Sequence, residues 1–156
     1  MKSEPSVFSI EDLRRKKTTC WDGVRNYQAR NFMRDQMHVG DEVLFYHSNA
    51  TPSGIAGLAT IVKEAYGDFT AWDPGNIHYD PKARPDRPTW MMVDVRFVRA
   101  CREIIALEDL RKIEALSAMG VLRKGNRLSI LPVDPREWTV IMKLPQWLSK
   151  SRASAG

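Results

Sequence analysis

The segment from Glu42 to Val62 leaves this chain few ways to fold. Glu42 to Ser48 alternates, with Val43, Phe45 and His47 on one side and Leu44, Tyr46 and Ser48 on the other. That is the two-residue period of a strand. Asn49 to Gly54, with Pro52, reads as a hairpin-like loop. Ile55 to Val62 is then apolar enough for a strand buried on both faces.

The other elements are short and come in mixed order. Ser9 followed by Asp12 opens a helix with Ile10 and Leu13 as its apolar stripe, closing in Arg14-Arg15-Lys16-Lys17. That basic cluster reads as a helix C-terminus whose charges suit the dipole, in preference to a phosphate site. Trp21 to Arg25 reads as a tight loop in which Gly23 permits an unusual backbone angle. Asn26 caps a second helix with Ala29, Phe32, Met33 and Met37 at helical spacing. Trp90 to Val98 is a long strand, Leu107 to Leu116 a helix, and Leu128 to Leu131 a strand closed by Pro132. Asp134-Pro135 opens a last helix over Arg136 to Lys143. About five strands and four short helices that do not alternate as βαβ argue against a doubly wound parallel sheet. The expectation is an α+β fold, a small, strongly bent mixed β barrel with short flanking helices.

At 156 residues and 17.9 kDa the chain fits one domain, expected over 1–148, with the small-residue stretch 149–156 as a flexible tail. The longest apolar stretch, Gly54 to Val62, is well short of the roughly 18–20 residues of a membrane span. No apolar h-region follows Met1-Lys2-Ser3-Glu4-Pro5, and there are only two cysteines, Cys20 and Cys101, so a cytoplasmic chain without disulfides is expected. The net charge is +5, and residues 101–156 contribute most of it, with 10 Lys/Arg against 6 Asp/Glu. Such a local excess favours a polyanionic partner.

Motifs for catalysis are missing. There is no phosphate-binding glycine loop, no dinucleotide fingerprint, no His-Glu-x-x-His and no nucleophile elbow. His38, His47 and His78 do not fall at metal-ligand spacing with one another or with the cysteines, so neither metal nor cofactor is expected. His47 reads more readily as a hydrogen-bonded strand residue than as a general base. Polar and aromatic side chains concentrate instead in three places: Trp21 to Arg30, Phe45 to Asn49, and Arg127-Leu128-Ser129 after the basic Arg123-Lys124-Gly125. Such a mixture suits a flat, polar, aromatic ligand, of which a nucleobase is the commonest. The plainer alternative makes Trp21 and Trp90 core aromatics and the arginines a solvated rim. Residues 66–88 add Tyr66, Phe69, Trp72 and Tyr79 among four prolines, a long loop of the kind that is often functional.

The runs Lys2-Ser3-Glu4-Pro5, Trp21 to Asn31, Gly40-Asp41 through Phe45-Tyr46-His47-Ser48-Asn49, and Arg127-Leu128-Ser129 closely resemble the EVE domain family. These motifs are ordered and spread from residue 2 to about residue 142. The resemblance implies the PUA-like fold, a compact pseudo-barrel shared with YTH and SRA domains. It also implies a reader of modified bases, methylated cytosine above all, in DNA more than in RNA. By position Trp21 matches an aromatic-cage tryptophan of the YTH relatives and Lys2-Ser3 their Lys-Ser at the end of the first strand; Trp72 is a candidate for the second wall. Family members carry apolar residues ahead of the Lys-Ser-Glu-Pro run, so here the first strand is short or the start lies upstream.

The resulting expectation is a non-catalytic nucleic-acid reader. Trp21 stacks on a flipped base, with Trp72 or Trp90 as the opposing wall. Ser3, Asp22, Asn26, His47, Ser48, Asn49 and Ser129 complete the pocket, and Lys2, Arg25, Arg30 and Arg127 hold phosphates. Trp21, Asn26, Ser48 and Arg127 are expected to line one cavity. The alternatives are an enzyme acting on a nucleobase, with His47 or Asp22 carrying the proton, and a module that binds nucleic acid without reading bases.

Overall fold

The computed structural model describes residues 1–148. Five strands, β1 (Lys2–Ser3), β2 (Thr18–Trp21), β3 (Glu42–His47), β4 (Gly54–Gly67) and β5 (Met91–Ala106), form one sheet in the order β1-β3-β4-β5-β2. Only β1 runs parallel to its neighbour, through Lys2 against Tyr46 and Ser3 against His47. The other pairings are antiparallel. The register between β4 and β5 shifts at four places, and each irregularity adds bend and twist. Strands of 14 and 16 residues thereby curl into the bent architecture that the order of elements implies.

The two-sided burial of β4 has its cause in two separate cores. On one side Ile10 and Leu13 of α1 (Ile10–Lys16) and Ala29 and Met33 of α2 (Tyr27–Gln36) pack with Phe45, Ala59, Ile61, Val93 and Val95. On the other, Leu44, Ile55, Leu58 and Ile105 meet Leu110 of α3 (Leu107–Arg111), Ile141 of α4 (Pro135–Met142) and Trp147. Gly57 lets α1 sit directly on β4, since a Cβ there would lie 2.7 Å from the Ile10 side chain and 2.6 Å from the Arg99 carbonyl. The helix starts are those that the caps specify. Ser9 and Asp12 form a capping box, Asn26 Oδ1 accepts the Ala29 N–H at 3.0 Å, and Asp134 and Glu137 form a second box.

Four local expectations are corrected. Thr18–Trp21 is an edge strand, running from Thr18 against Arg96 to Trp21 against Val93, so Trp21 ends a strand and does not begin a free loop. Four residues are too few to show a period, and only pairing with β5 defines them. Leu128–Leu131 is not a strand. It offers the Ser129 carbonyl to the Lys2 N–H at 2.8 Å, and the two-residue β1 gives it nothing more to pair with. The helix at Leu107 stops at Arg111 and is followed by a 3-10 turn at Glu114–Leu116. Residues 66–88 are less irregular than their composition implies, because β4 continues to Gly67 and a 3-10 helix occupies Phe69–Trp72. The expected tail, 149–156, lies outside the described residues.

Candidate functional site

Trp21 is fixed from behind. Its indole meets the fully buried Phe45 ring edge-on, with centroids 5.5 Å apart and planes at 84°, and only 9% of the residue is exposed. That remaining surface opens onto a cavity of about 330 Å³, lined also by Lys2 and Ser3 of β1, Phe8, Lys16, Asp22 and His78. The volume lies at the small end of the range of ligand pockets, roughly 300–1,000 Å³, and suits a single planar ring system. Ser3 Oγ donates to the Phe8 carbonyl at 2.6 Å and so holds that turn against β1. Asp22 is exposed, leaving its carboxylate available to an incoming donor.

The loop beyond Trp21 is held by a buried carboxylate. Asp68 Oδ2 accepts the Gly23 N–H at 2.8 Å and Arg25 Nη1 at 2.9 Å, while Oδ1 accepts the Thr70 N–H at 2.9 Å and its hydroxyl at 2.5 Å. Burial by itself would raise the Asp68 pKa, but the bonds from Thr70, Arg25 and Gly23 outweigh it and hold the carboxyl below its usual value. Arg25 also reaches the His78 carbonyl through Nη2 at 2.7 Å and Nε at 3.2 Å. His78 is thereby drawn over Gly23, whose φ is +77°; a Cβ there would lie 2.5 Å from the imidazole Nε2. Glycine is needed at that position both for its backbone angle and for the space it leaves.

The structure unites Lys2, Ser3, Trp21 and Asp22 in this cavity and assigns several other candidates elsewhere. Asn26 caps α2 with its side-chain oxygen and is not in the cavity lining. His47 is buried on β3, and its Nε2 accepts the Ile10 N–H at 3.1 Å. That places the ring proton on Nδ1, and burial lowers the pKa, favouring the neutral ring the bond requires. Ser48 sits beside β1, donating its N–H to the Ser3 carbonyl at 3.0 Å, but is not in the cavity lining. Asn49 is an exposed turn residue with φ 49°. Ser129 flanks Lys2 through its backbone carbonyl.

Trp72 does not face Trp21. It lies beside Gly67 with Pro88, where the path of the chain out of β4 puts it. Trp90, 7% exposed, is tied by its indole N–H to Asp80 at 2.8 Å, and its ring lies 4.9 Å from that of Tyr27. It borders a different hollow of about 270 Å³ with Arg25 and Tyr79. The rings beside Trp21 in the cavity are Phe8 and His78 instead. Arg25 is committed to Asp68. Arg30 donates to the Thr89 carbonyl at 2.9 Å and to Asn31 at 2.8 Å. Arg127 is exposed and outside the cavity lining. A larger groove of about 630 Å³, between α2, β3 and the region of Trp138, contains none of the sequence candidates, so chemistry and not size selects the site.

Sequence reasoning missed Asp68, Phe8, Lys16 and His78 as residues of this region. Asp68 two residues before Thr70 is a legible capping signal, but nothing local marks the carboxylate as the partner of Arg25, 43 residues away.

Comparisons with known proteins place the chain in a family. The EVE domain model matches residues 1–144. Human thymocyte nuclear protein 1 is 48% identical over 164 residues, covering 94% of this chain and 72% of that protein. A crystal structure of a Pseudomonas putida protein superposes with a TM-score of 0.88 at 48% identity, covering 91% of this chain and 95% of that one. A crystal structure of human THYN1 protein in complex with 5-methylcytosine-containing DNA superposes with a TM-score of 0.82 at 49% identity, covering 91% of this chain and 93% of that one. The α+β, PUA-like architecture expected from the sequence therefore stands, and this chain belongs to the EVE domain family.

Proposed function

We propose that this chain is a non-catalytic reader of nucleic acid that takes a modified base, 5-methylcytosine in the first instance, into the cavity beside Trp21. The observation that carries the reading is the relative, 49% identical across 91% of this chain, in complex with 5-methylcytosine-containing DNA. The geometry supports it independently. A rigidly backed indole forms one wall of a small cavity, and the adjacent Asp22 carboxylate is free to accept from an exocyclic amino group, as acidic side chains do from cytosine N4. Stacking on the indole contributes about 1–3 kcal/mol. Burying the methyl group adds about 0.8 kcal/mol, roughly fourfold in affinity, so any sharper preference has to come from the fit of the walls.

A non-catalytic role is supported by the state of two groups that could act on a base, His47 and Cys20. His47 uses Nε2 to cap α1. Cys20, on the cavity wall, has its thiol pKa pushed up by burial first and by Asp22 and Asp94 next, so it is a poor nucleophile. Mass spectrometry of methylated oligonucleotides after incubation tests this, and any product would refute it. DNA in preference to RNA, and a cytoplasmic location, belong to the same proposal; matched DNA and RNA probes and cell fractionation test them.

The central experiment is a competition titration of methylated against unmodified duplexes with wild type and Trp21→Leu. Leucine keeps apolar bulk against Phe45 but removes the ring. The variant should lose about 5- to 150-fold on methylated DNA while keeping much of its salt-dependent binding. Equal losses on both duplexes, or a wild type without preference, would refute the reading.

A further inference from the structure

The reader assignment leaves open what holds the strand on either side of the inserted base. A nucleotide entering the cavity brings a phosphate on its 5′ side and another on its 3′ side. Among the described residues two cations line the same cavity as Trp21: Lys2, on β1, and Lys16, in the last turn of α1. Neither forms an ion pair among the described residues. Among the described residues the Lys2 ammonium meets only the Asn126 carbonyl, at 3.3 Å. The exposed Lys16 ammonium lies 5.9 Å from the centre of the Phe8 ring, itself part of the cavity wall. The nearby arginines are engaged: Arg14 with Glu11, Arg15 with Asp12, Arg25 with the buried Asp68, and Arg30 with Asn31 and the Thr89 carbonyl; Lys17, next along the chain, is exposed but is not in the cavity lining.

We propose that Lys2 and Lys16 form a phosphate clamp at the mouth of the Trp21 cavity, gripping the backbone on both sides of the inserted nucleotide. The clamp rests on the reader assignment and adds to it a residue, Lys16, from the basic cluster that reads in sequence as a mere helix end. Its position is fixed by the fold. The Lys17 N–H returns to the Leu13 carbonyl at 2.8 Å, and the Lys17 carbonyl accepts the Phe97 N–H at 2.8 Å, so the end of α1 is fastened to β5. Among the described residues Asp22 is the one carboxylate in the lining, against two ammonium groups, which leaves the mouth net positive. Burial also lowers the Lys2 pKa, the mark of an ammonium that has given up water without gaining an acid. A phosphate supplies the missing counter-charge.

Fluorescence anisotropy with a labelled duplex carrying one central 5-methylcytosine, and its unmodified counterpart, tests the clamp across a salt series from about 50 to 200 mM. Each phosphate contact contributes about 0.9 to the slope of log affinity against log salt. Lys16→Gln should reduce the steepness of that slope by about 0.9 on both duplexes, and Lys16→Arg should restore it. Arg30→Gln should leave the slope unchanged. Lys16 is exposed, so its variants are expected to share the wild-type urea midpoint, which is measured alongside. Lys2→Gln is the second arm and should remove a similar increment. An unchanged slope in Lys16→Gln, with methyl preference intact in wild type, would overturn the clamp and leave the reader standing. A wild type without methyl preference would overturn the reader, and with it the clamp as part of a base site.

Discussion

Replacing Asp68 by Asn probes the lock that positions the Trp21 loop. The two side chains have nearly the same shape, but an amide offers one accepting oxygen where the carboxylate offers two. Oδ1 faces the Thr70 N–H and hydroxyl, while Oδ2 faces the Gly23 N–H and the Arg25 guanidinium. Whichever way the amide is turned, an NH₂ group faces donors. If it faces Gly23 and Arg25, the guanidinium loses its counter-charge in a site where the Asp68 side chain is 0% exposed and that of Arg25 24%. Removing one partner of a buried pair costs about 3–5 kcal/mol. Water reaching Arg25 favours the lower end, about 3 kcal/mol, equivalent to roughly 6–12 °C in a domain of this size. Urea unfolding of both proteins at pH 7 measures the difference. The sign with pH follows from the lowered native pKa: the carboxylate's contribution is complete above the unfolded value of about 3.9 and is lost as pH falls through the lower folded value. The gap between wild type and Asp68→Asn should therefore hold from about pH 5 to 8 and shrink below about 4. A loss under about 1 kcal/mol at neutral pH would refute the claim that this carboxylate locks the loop.

Other outcomes follow from the same geometry. Gly23→Ala combines a left-handed backbone cost of about 1–2 kcal/mol with a Cβ 2.5 Å from the His78 ring, so it should lower stability and displace His78 from the cavity, visible as a changed imidazole NMR shift. Arg25→Ala should destabilise the fold yet leave the salt slope of DNA binding unaltered, because its charge is spent on Asp68; a slope reduced by about 0.9 would show that it holds a phosphate after all. The lowered His47 pKa makes its stability contribution complete above the unfolded value of about 6.5 and lost as pH falls from there through the folded value. Wild type should lose stability from pH 7.5 to 5.5 more steeply than His47→Gln, as read by urea midpoints.

Elements whose signals are local can be read from the chain alone. Ser9 with Asp12, Asn26 and Asp134 with Glu137 each satisfy backbone donors within four residues, so their helices begin where the caps say. The two-residue period of β3 and the unbroken apolar run of β4 announced strands, and β4's residues already required cover on both faces. Lys2, Ser3 and Trp21 were legible as candidates through resemblance to the family's motifs, and Asp22 through the polar and aromatic residues around it; the fold brings all four to one cavity. Whatever depends on partners distant along the chain is set by the closed fold. The edge strand Thr18–Trp21 exists because β5 offers it a ladder. Arg25 looked like a free rim charge until Asp68 claimed it, and His47, legible as a hydrogen-bonded strand residue, had no partner that the sequence could name until the fold brought it the Ile10 N–H. Lys16 and His78 come to the cavity from opposite sides of the Trp21 loop, Lys16 because β5 fastens the end of α1 and His78 because Arg25 holds its carbonyl. A hydrogen-bonding or charged side chain takes its role from whichever partner lies within about 3 Å, and over such separations only the closed fold sets that distance.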